Sequence, residues 1–485
     1  MSVRDIGQPV GTGWWCWWFA QCAGVGALAV VLSACWFFRL RYGDLIYPIC
    51  AVIPVLFLWA YWSWTKATRS WFDPYILFLI VAVVFNGGQA LLEVFGLNED
   101  GVLTGMFSPE TTLKSLAVVA IGLVSMHCGA LGAAVRAAQR EAPTMLEGEL
   151  RRKKVALQSV GWFLLTMSIV PTTMGLRQSL ELVLSKGYFA LYQREAATGL
   201  MAGPTVVASF FIPASIFLLA GGAGRSWGTV PSVFLLAAYS GTMLFFGARY
   251  PALAPVIAYA YVWHRVVRPL PRGAVLAGAI FLLGGIIPIT ANIRNLAGAD
   301  RLSISAIADG FLSLENPLIA GVSETGGTLR TIAYTIDLVP AQRRYDLGVE
   351  YLYALLTVMP NFFWDLHPTL ARGVAADWLA RTVDPVMAAL GGGLGYSFLA
   401  EAYLNFGLWG VWLVPFVVGF LYGAFVVQSL SSEDPMRHAV VGSYAPFFLF
   451  YARAGSVSVV RPLFWYTLLP LLLALWLERT RRSEK

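Results

Sequence analysis

Long apolar runs separated by short polar connectors make up most of this chain. A run of about 20 apolar residues crosses a bilayer as a helix. On that criterion the pattern predicts about 12 spans, near residues 14–38, 45–65, 73–97, 112–135, 155–175, 203–222, 230–247, 250–264, 273–290, 407–430, 438–453 and 462–478. The seventh and eighth meet tightly at GARYP and the eighth is short, so either is expected to be broken or tilted. Residues 291–393 interrupt the pattern. They carry helix signals, such as Asp309 ahead of FLSLENPL, with Pro317, Pro340, Pro360, Pro368 and Pro385 as punctuation. This segment reads as a partly helical cap with amphipathic helices lying on the membrane. The chain then divides into an N-terminal membrane region (1–290), a large loop (291–393) and a C-terminal membrane region (394–485). No internal repeat is evident.

Composition excludes a soluble enzyme with an anchor. Of 485 residues 58% are hydrophobic and 13% charged, with mean hydropathy +0.67, whereas soluble domains carry about 25% charge. The class is an all-α polytopic integral membrane protein. The first apolar run is long enough to span and lacks a clean cleavage site, so no cleavable signal peptide is expected. Five cysteines form no CxxC pair and four histidines are scattered. Neither a disulfide framework nor a catalytic metal is expected, and no cofactor. The net charge of +7 does not call for nucleic acid, because basic residues first answer the positive-inside rule. Residues 136–154 hold six Lys/Arg, 264–272 three and the last eight residues four. All three segments fall on one side of a 12-span chain, so that side is cytoplasmic and both termini lie inside.

The polar residues left on the other side need explaining. Arg249, Arg330, Arg453, Arg461 and Arg177 sit where that rule does not ask for arginine, and Arg194 closes the loop that Arg177 opens. Each alone could snorkel to lipid phosphate. Together, drawn from distant parts of the chain, they would form a cationic pocket suited to pyrophosphate. Glu401, Tyr403 and Asn405 follow the glycine run GGGLG at the mouth of the tenth span. A helix start explains Glu401 alone, because a first-turn carboxylate suits the helix dipole. The three together read as a site in which Glu401 is the first choice of base and Tyr403 and Asn405 bind sugar hydroxyls. Glu324, near Arg330, and His367, two residues from Asp365, stand behind Glu401 as bases. For His367 the competing reading is a turn-forming cluster, and for His127 a buried helix–helix hydrogen bond.

GARYP after an apolar span, the large late loop, and GGGLGYSFLAEAYLNFGLWG leading into the next span resemble the bacterial O-antigen polymerase family, the oligosaccharide repeat-unit polymerases. The resemblance in topology covers the whole chain. It implies a GT-C-like architecture related to O-antigen ligases, with a large helical periplasmic loop in the bacterial inner membrane. It also implies a metal-independent, inverting glycosyltransferase. Donor and acceptor would both be glycans on undecaprenyl pyrophosphate, with membrane lipids and a chain-length regulator protein as further partners. The rival readings are an O-antigen ligase using a lipid A core acceptor, a transporter or flippase of the same lipid, and a non-enzymatic scaffold. Orientation is directly testable. An outside-only thiol reagent should label an engineered cysteine near Asp346 and spare one near Glu147.

Overall fold

The computed structural model describes residues 18–24, 42–99, 101–138, 145–193, 203–222, 226–296, 301, 303–359, 361, 364 and 366–483, with no strand among the described residues. The N-terminal helices are α1 (Tyr42–Thr68), α2 (Pro74–Val94), α3 (Pro109–Ala138) and α4 (Glu147–Lys186). They continue as α5 (Phe211–Gly222), α6 (Ser226–Phe245), α7 (Arg249–Val262), α8 (Arg272–Phe281) and α9 (Ile287–Asn295). The large loop holds α10 (Ile304–Leu312), α11 (Pro317–Gly326), α12 (Leu329–Leu338) and α13 (Val349–Leu356). The chain closes with α14 (Phe398–Leu430), α15 (Pro435–Tyr451), α16 (Val457–Pro462) and α17 (Leu469–Ser483).

Nine described helices are long and apolar enough to cross a membrane. They match nine of the expected spans. Those expected at 250–264 and 438–453 form α7 and α15, only 14 and 17 residues long. The run at 14–38 lies largely outside the described residues. The α4 helix has 40 residues, roughly 60 Å at 1.5 Å per residue. That is about twice the hydrocarbon thickness, so α4 extends well beyond it.

The most intimate pairing is α3 with α14. A Cβ at Gly129 would overlap the Phe416 carbonyl oxygen, and one at Gly419 would overlap that of Met126. Gly423 meets the Ala130 backbone, and Ser125 Oγ donates to the Trp412 carbonyl. Small residues spaced along both helices let the backbones touch, the usual route to tight helix pairing where lipid tails are as apolar as leucine.

Part of the 291–393 segment packs into the helix bundle. Helix α11 is seated against α2: a Cβ at Gly88 would be 2.9 Å from Gly326 Cα, and Gln89 Nε2 donates to the Ser323 carbonyl at 2.9 Å. Helix α12 buries seven of its ten residues, from Leu329 to Leu338, against neighbouring helices. The facing glycines of α2 and α11 remove the bulk that would otherwise hold these helices off the bundle.

If backbone contact sets the fold, Gly419→Leu should collapse the yield of folded protein in membranes, beyond the roughly 1–3 kcal/mol of ordinary overpacking. Gly241→Ala, where nothing lies within 4 Å of the new Cβ, should leave thermal unfolding in detergent unchanged or slightly raised.

Candidate functional site

A groove of about 900 Å³ runs along the bundle between α2, α7 and α8. Its walls are mostly apolar, with Ile76, Ile80 and Val84 of α2, Leu253 and Ile257 of α7, and Leu276 of α8; Arg272, the first residue of α8, also lines it and lies 5.6 Å over the Trp71 ring. On α2 alone the lining runs from Ile76 to Phe85, about 13 Å of helix. At one end the apolar lining gives way to Arg249, Arg294, Arg453 and Glu324. No other carboxylate lines it.

The head of the groove is assembled from four places in the chain. Arg249 opens α7 after the turn at Gly247, and Glu324 comes from α11. Arg249 holds the Glu324 carboxylate with both terminal nitrogens, Nη1 to Oε2 at 2.8 Å and Nη2 to Oε1. Arg294, in the last turn of α9, reaches the same carboxylate at 3.9 Å. Arg453 lies over the Phe85 ring, 5.3 Å from its centroid, and follows α15. Three guanidinium groups against one carboxylate leave an excess of two positive charges beside an apolar channel.

Buried polar groups hold these arginines in place. Arg301, 1% exposed, donates to the carbonyls of Phe246 (3.2 Å) and Arg294 (3.4 Å), bracing both neighbouring turns. The Arg453 carbonyl accepts from Tyr396 N–H at 3.0 Å. Asn86 Nδ2 donates to the adjacent Ala452 carbonyl at 3.0 Å, and Ser397 Oγ donates to Asn86 Oδ1 at 2.7 Å.

The stretch around Glu401 does different work from that expected. Glu401 is 1% exposed and does not line the groove. Its two oxygens accept the Ser456 N–H at 2.9 Å, and Oε1 also accepts the Ser456 hydroxyl at 2.8 Å. The helix is broken just beyond it, at Phe406 and Gly407, where φ is +60°. Glycine adopts that conformation without the steric cost other residues meet. The break frees the carbonyls of Leu404 and Asn405, which accept the N–H groups of Asp346 and Leu347, each at 3.0 Å. Asn405 completes the clamp, accepting Gly348 N–H at 3.0 Å and donating to the Glu401 carbonyl at 2.8 Å. Asn405 is fully buried, and both of its amide ends are engaged in this clamp. Tyr403 is half-buried, edge-on to Tyr345 at 6.1 Å. The clamped segment carries its own ion cluster, in which Arg343 and Arg372 both reach Asp346 and Glu350. Burial pushes the Glu350 carboxyl above the usual carboxylate range, and Arg372 opposes it.

Of the residues singled out from sequence, the fold thus brings Arg249, Arg453 and Glu324 together. Arg330 begins α12 off the groove wall. Arg461 lies on α16, likewise off the wall. Arg177 is 81% exposed and pairs with Glu181 one turn on, at 2.9 Å. His367 caps the short helix Pro368–Arg372, its Nδ1 accepting Thr369 N–H at 3.2 Å. That contact is the turn-forming role read for it from sequence, and His367 does not line the groove. Arg194 and Asp365 lie outside the described residues. Arg294 is the member that sequence reading passed over. It follows an apolar span on the side where arginine is not required, the same signal that marked Arg249.

The family described as O-antigen polysaccharide polymerase Wzy matches residues 28–481, nearly the whole chain. A protein of Kineococcus radiotolerans named undecaprenyl-diphosphatase is 28% identical over 134 residues, 27% of this chain. That match spans 40% of the relative's own length. No solved structure matches.

The Glu401 contacts make a stability prediction. A glutamine amide nitrogen would face the Ser456 N–H donor to donor, so Glu401→Gln should cost about 1–3 kcal/mol, read as a lower unfolding temperature. Ser456→Ala keeps the backbone donor and should cost less. A purely catalytic Glu401 would instead leave the Glu401→Gln unfolding temperature unchanged.

Proposed function

Since the chain belongs to the O-antigen polysaccharide polymerase family, we propose that it joins oligosaccharide repeat units carried on undecaprenyl pyrophosphate, and that the groove holds the carrier. The observation that carries this reading is the union of an apolar channel with three arginines at one end. A long isoprenoid tail matches the channel, and a pyrophosphate matches guanidinium forks. The similarity to a protein named for undecaprenyl diphosphate points to the same lipid. In the orientation set by the basic loops, the arginine end faces the periplasm.

The chemistry then needs few parts. A sugar hydroxyl of the acceptor unit attacks the anomeric carbon of the donor glycan from the face opposite the pyrophosphate, so the configuration inverts. The carbon–oxygen bond to pyrophosphate breaks, and undecaprenyl pyrophosphate leaves. Arg249, Arg294 and Arg453 stabilise the negative charge that grows on the leaving group, as preorganised cations at the end of an apolar channel. The hydroxyl's proton needs a carboxylate. The base assigned here is Glu324, a reading supported by its pairing with Arg249: pyrophosphate entering that fork would displace it and leave a free carboxylate beside the reacting centre. Glu401, locked to Ser456, supports the turn that carries Arg453.

Purified protein supplied with lipid-linked repeat units should build a ladder of products on the lipid carrier. Arg249→Ala and Arg453→Ala should each cut turnover on the order of 10²–10³-fold. Arg249→Lys should also impair it, because the fork is lost. Normal ladders from both alanine variants, folded and at wild-type levels, would remove the arginines from the reaction. Transfer only to lipid A core would make the chain a ligase.

A further inference from the structure

Two features take no part in the reaction as proposed: the aromatic turn after α4 and the glycine run before α14. They meet at the head of the groove. Tyr188 and Phe189 have ring centroids 5.5 Å apart and Tyr188 and Tyr192 5.3 Å apart, both edge to face. The Tyr188 and Tyr192 hydroxyls are 2.9 Å apart. Phe189 is 45% and Tyr192 55% exposed. The Arg294 guanidinium sits 4.8 Å over the Tyr188 ring, which ties the turn to the cationic head.

The glycine run links the same two places. Gln193 Nε2 donates to the Leu390 carbonyl at 2.9 Å, and a Cβ on Gly391 would be 3.2 Å from the Tyr192 carbonyl carbon. Four residues on, a Cβ on Gly395 would be 2.9 Å from Arg453 Nη2. The run therefore leads from the aromatic turn to an arginine of the head, with bare backbone along most of its length.

We propose that Tyr188, Phe189 and Tyr192 form a carbohydrate platform that holds the sugars next to the pyrophosphate of the lipid-linked glycan. A pyranose ring has a C–H face that packs on the negative face of an aromatic ring, and a rim of hydroxyls that need partners. The tyrosine pair supplies them: one hydroxyl donates to the other, which leaves one O–H donor and spare lone pairs. Aromatic residues at a membrane surface also serve as lipid anchors. An anchor would not need its hydroxyls paired to each other beneath a guanidinium, nor a glycine track leading to Arg453. The platform rests on the carrier-lipid reading of the groove, and it adds recognition of the sugar to recognition of the lipid.

The test uses the full chain in nanodiscs and two probes, undecaprenyl pyrophosphate without sugar and the lipid-linked repeat unit. Tyr192→Ala and Phe189→Ala should each weaken binding of the glycosylated lipid about ten-fold, a change of 1.4 kcal/mol, and leave the sugar-free lipid unaffected. Tyr192→Phe keeps the packing and should lose part of that affinity, for the glycosylated lipid alone. Arg453→Ala should weaken both probes. Alanine variants that bind the glycosylated lipid as tightly as wild type overturn the platform. So does a Tyr192→Phe protein that binds both probes as wild type does. Wild-type protein that binds neither probe overturns the reading of the groove and the platform with it.

Discussion

The contact between α3 and α14 is the constraint on which the rest of this structure depends. Inside a bilayer, burying leucine against leucine gains little over burying it against lipid, so helices are held by close packing and hydrogen bonds. Gly129, Gly419 and Gly423 bring the two backbones into van der Waals contact, and Ser125 adds a hydrogen bond to the Trp412 carbonyl. With α14 fixed against α3, its direction is set, and the polar groups of its amino-terminal turns meet other parts of the chain. The break at Phe406 and Gly407 lies between this contact and a second one on the same helix pair, where Leu399 packs on Gly122.

That break converts a helix into a connector. A continuous helix would satisfy the Leu404 and Asn405 carbonyls internally and could not dock the 346–348 segment. The broken one holds that segment through two backbone hydrogen bonds and the Asn405 amide. On the other side, Glu401 grips Ser456 while Tyr396 and the Ser397–Asn86 pair hold the backbone at residues 452–453. Arg453 is thus pinned through its main chain by groups from α2 and from the start of α14. A long arginine side chain loses entropy on being ordered. Fixing its backbone through buried contacts means that less of that loss falls on ligand binding.

How much of this was legible in the sequence depends on whether the physics is local. Span positions were, because crossing a bilayer takes a continuous apolar run; all nine of the long described helices lie where such runs lie. The shortness of α7 was marked by the length of its apolar run and by the tight GARYP turn; that of α15 was not. Arg249 and Arg453 were legible as arginines on the side where the positive-inside rule does not ask for them, and Glu324 as a carboxylate among them. The roles of Glu401 and Asn405 were not. Glu401 meets Ser456, 55 residues away, and Asn405 meets Gly348, 57 residues away, and nothing local announces either partner. A polar triplet at a helix mouth looks the same whether it faces a substrate or a neighbouring loop. The docking of α11 on α2 was hidden for the same reason, since Gly88 and Gly326 carry no sign of each other.

The groove's head poses an energetic problem of its own. Three guanidinium groups gathered at the edge of an apolar channel repel one another and have lost part of their water. Glu324 offsets both costs when no anion is present, by filling the Arg249 fork and lying within 3.9 Å of Arg294. A single carboxylate bears at most one negative charge, whereas a pyrophosphate bears more and offers more acceptor oxygens. The head therefore stays assembled without ligand yet favours the more highly charged guest. Glu324 is carried on α11, whose backbone is seated on α2 through Gly88 and Gln89, so the helix that bears the carboxylate stays beside the head. In the proposed reaction a Glu324 carboxylate released from the Arg249 fork is the group that takes the acceptor's proton.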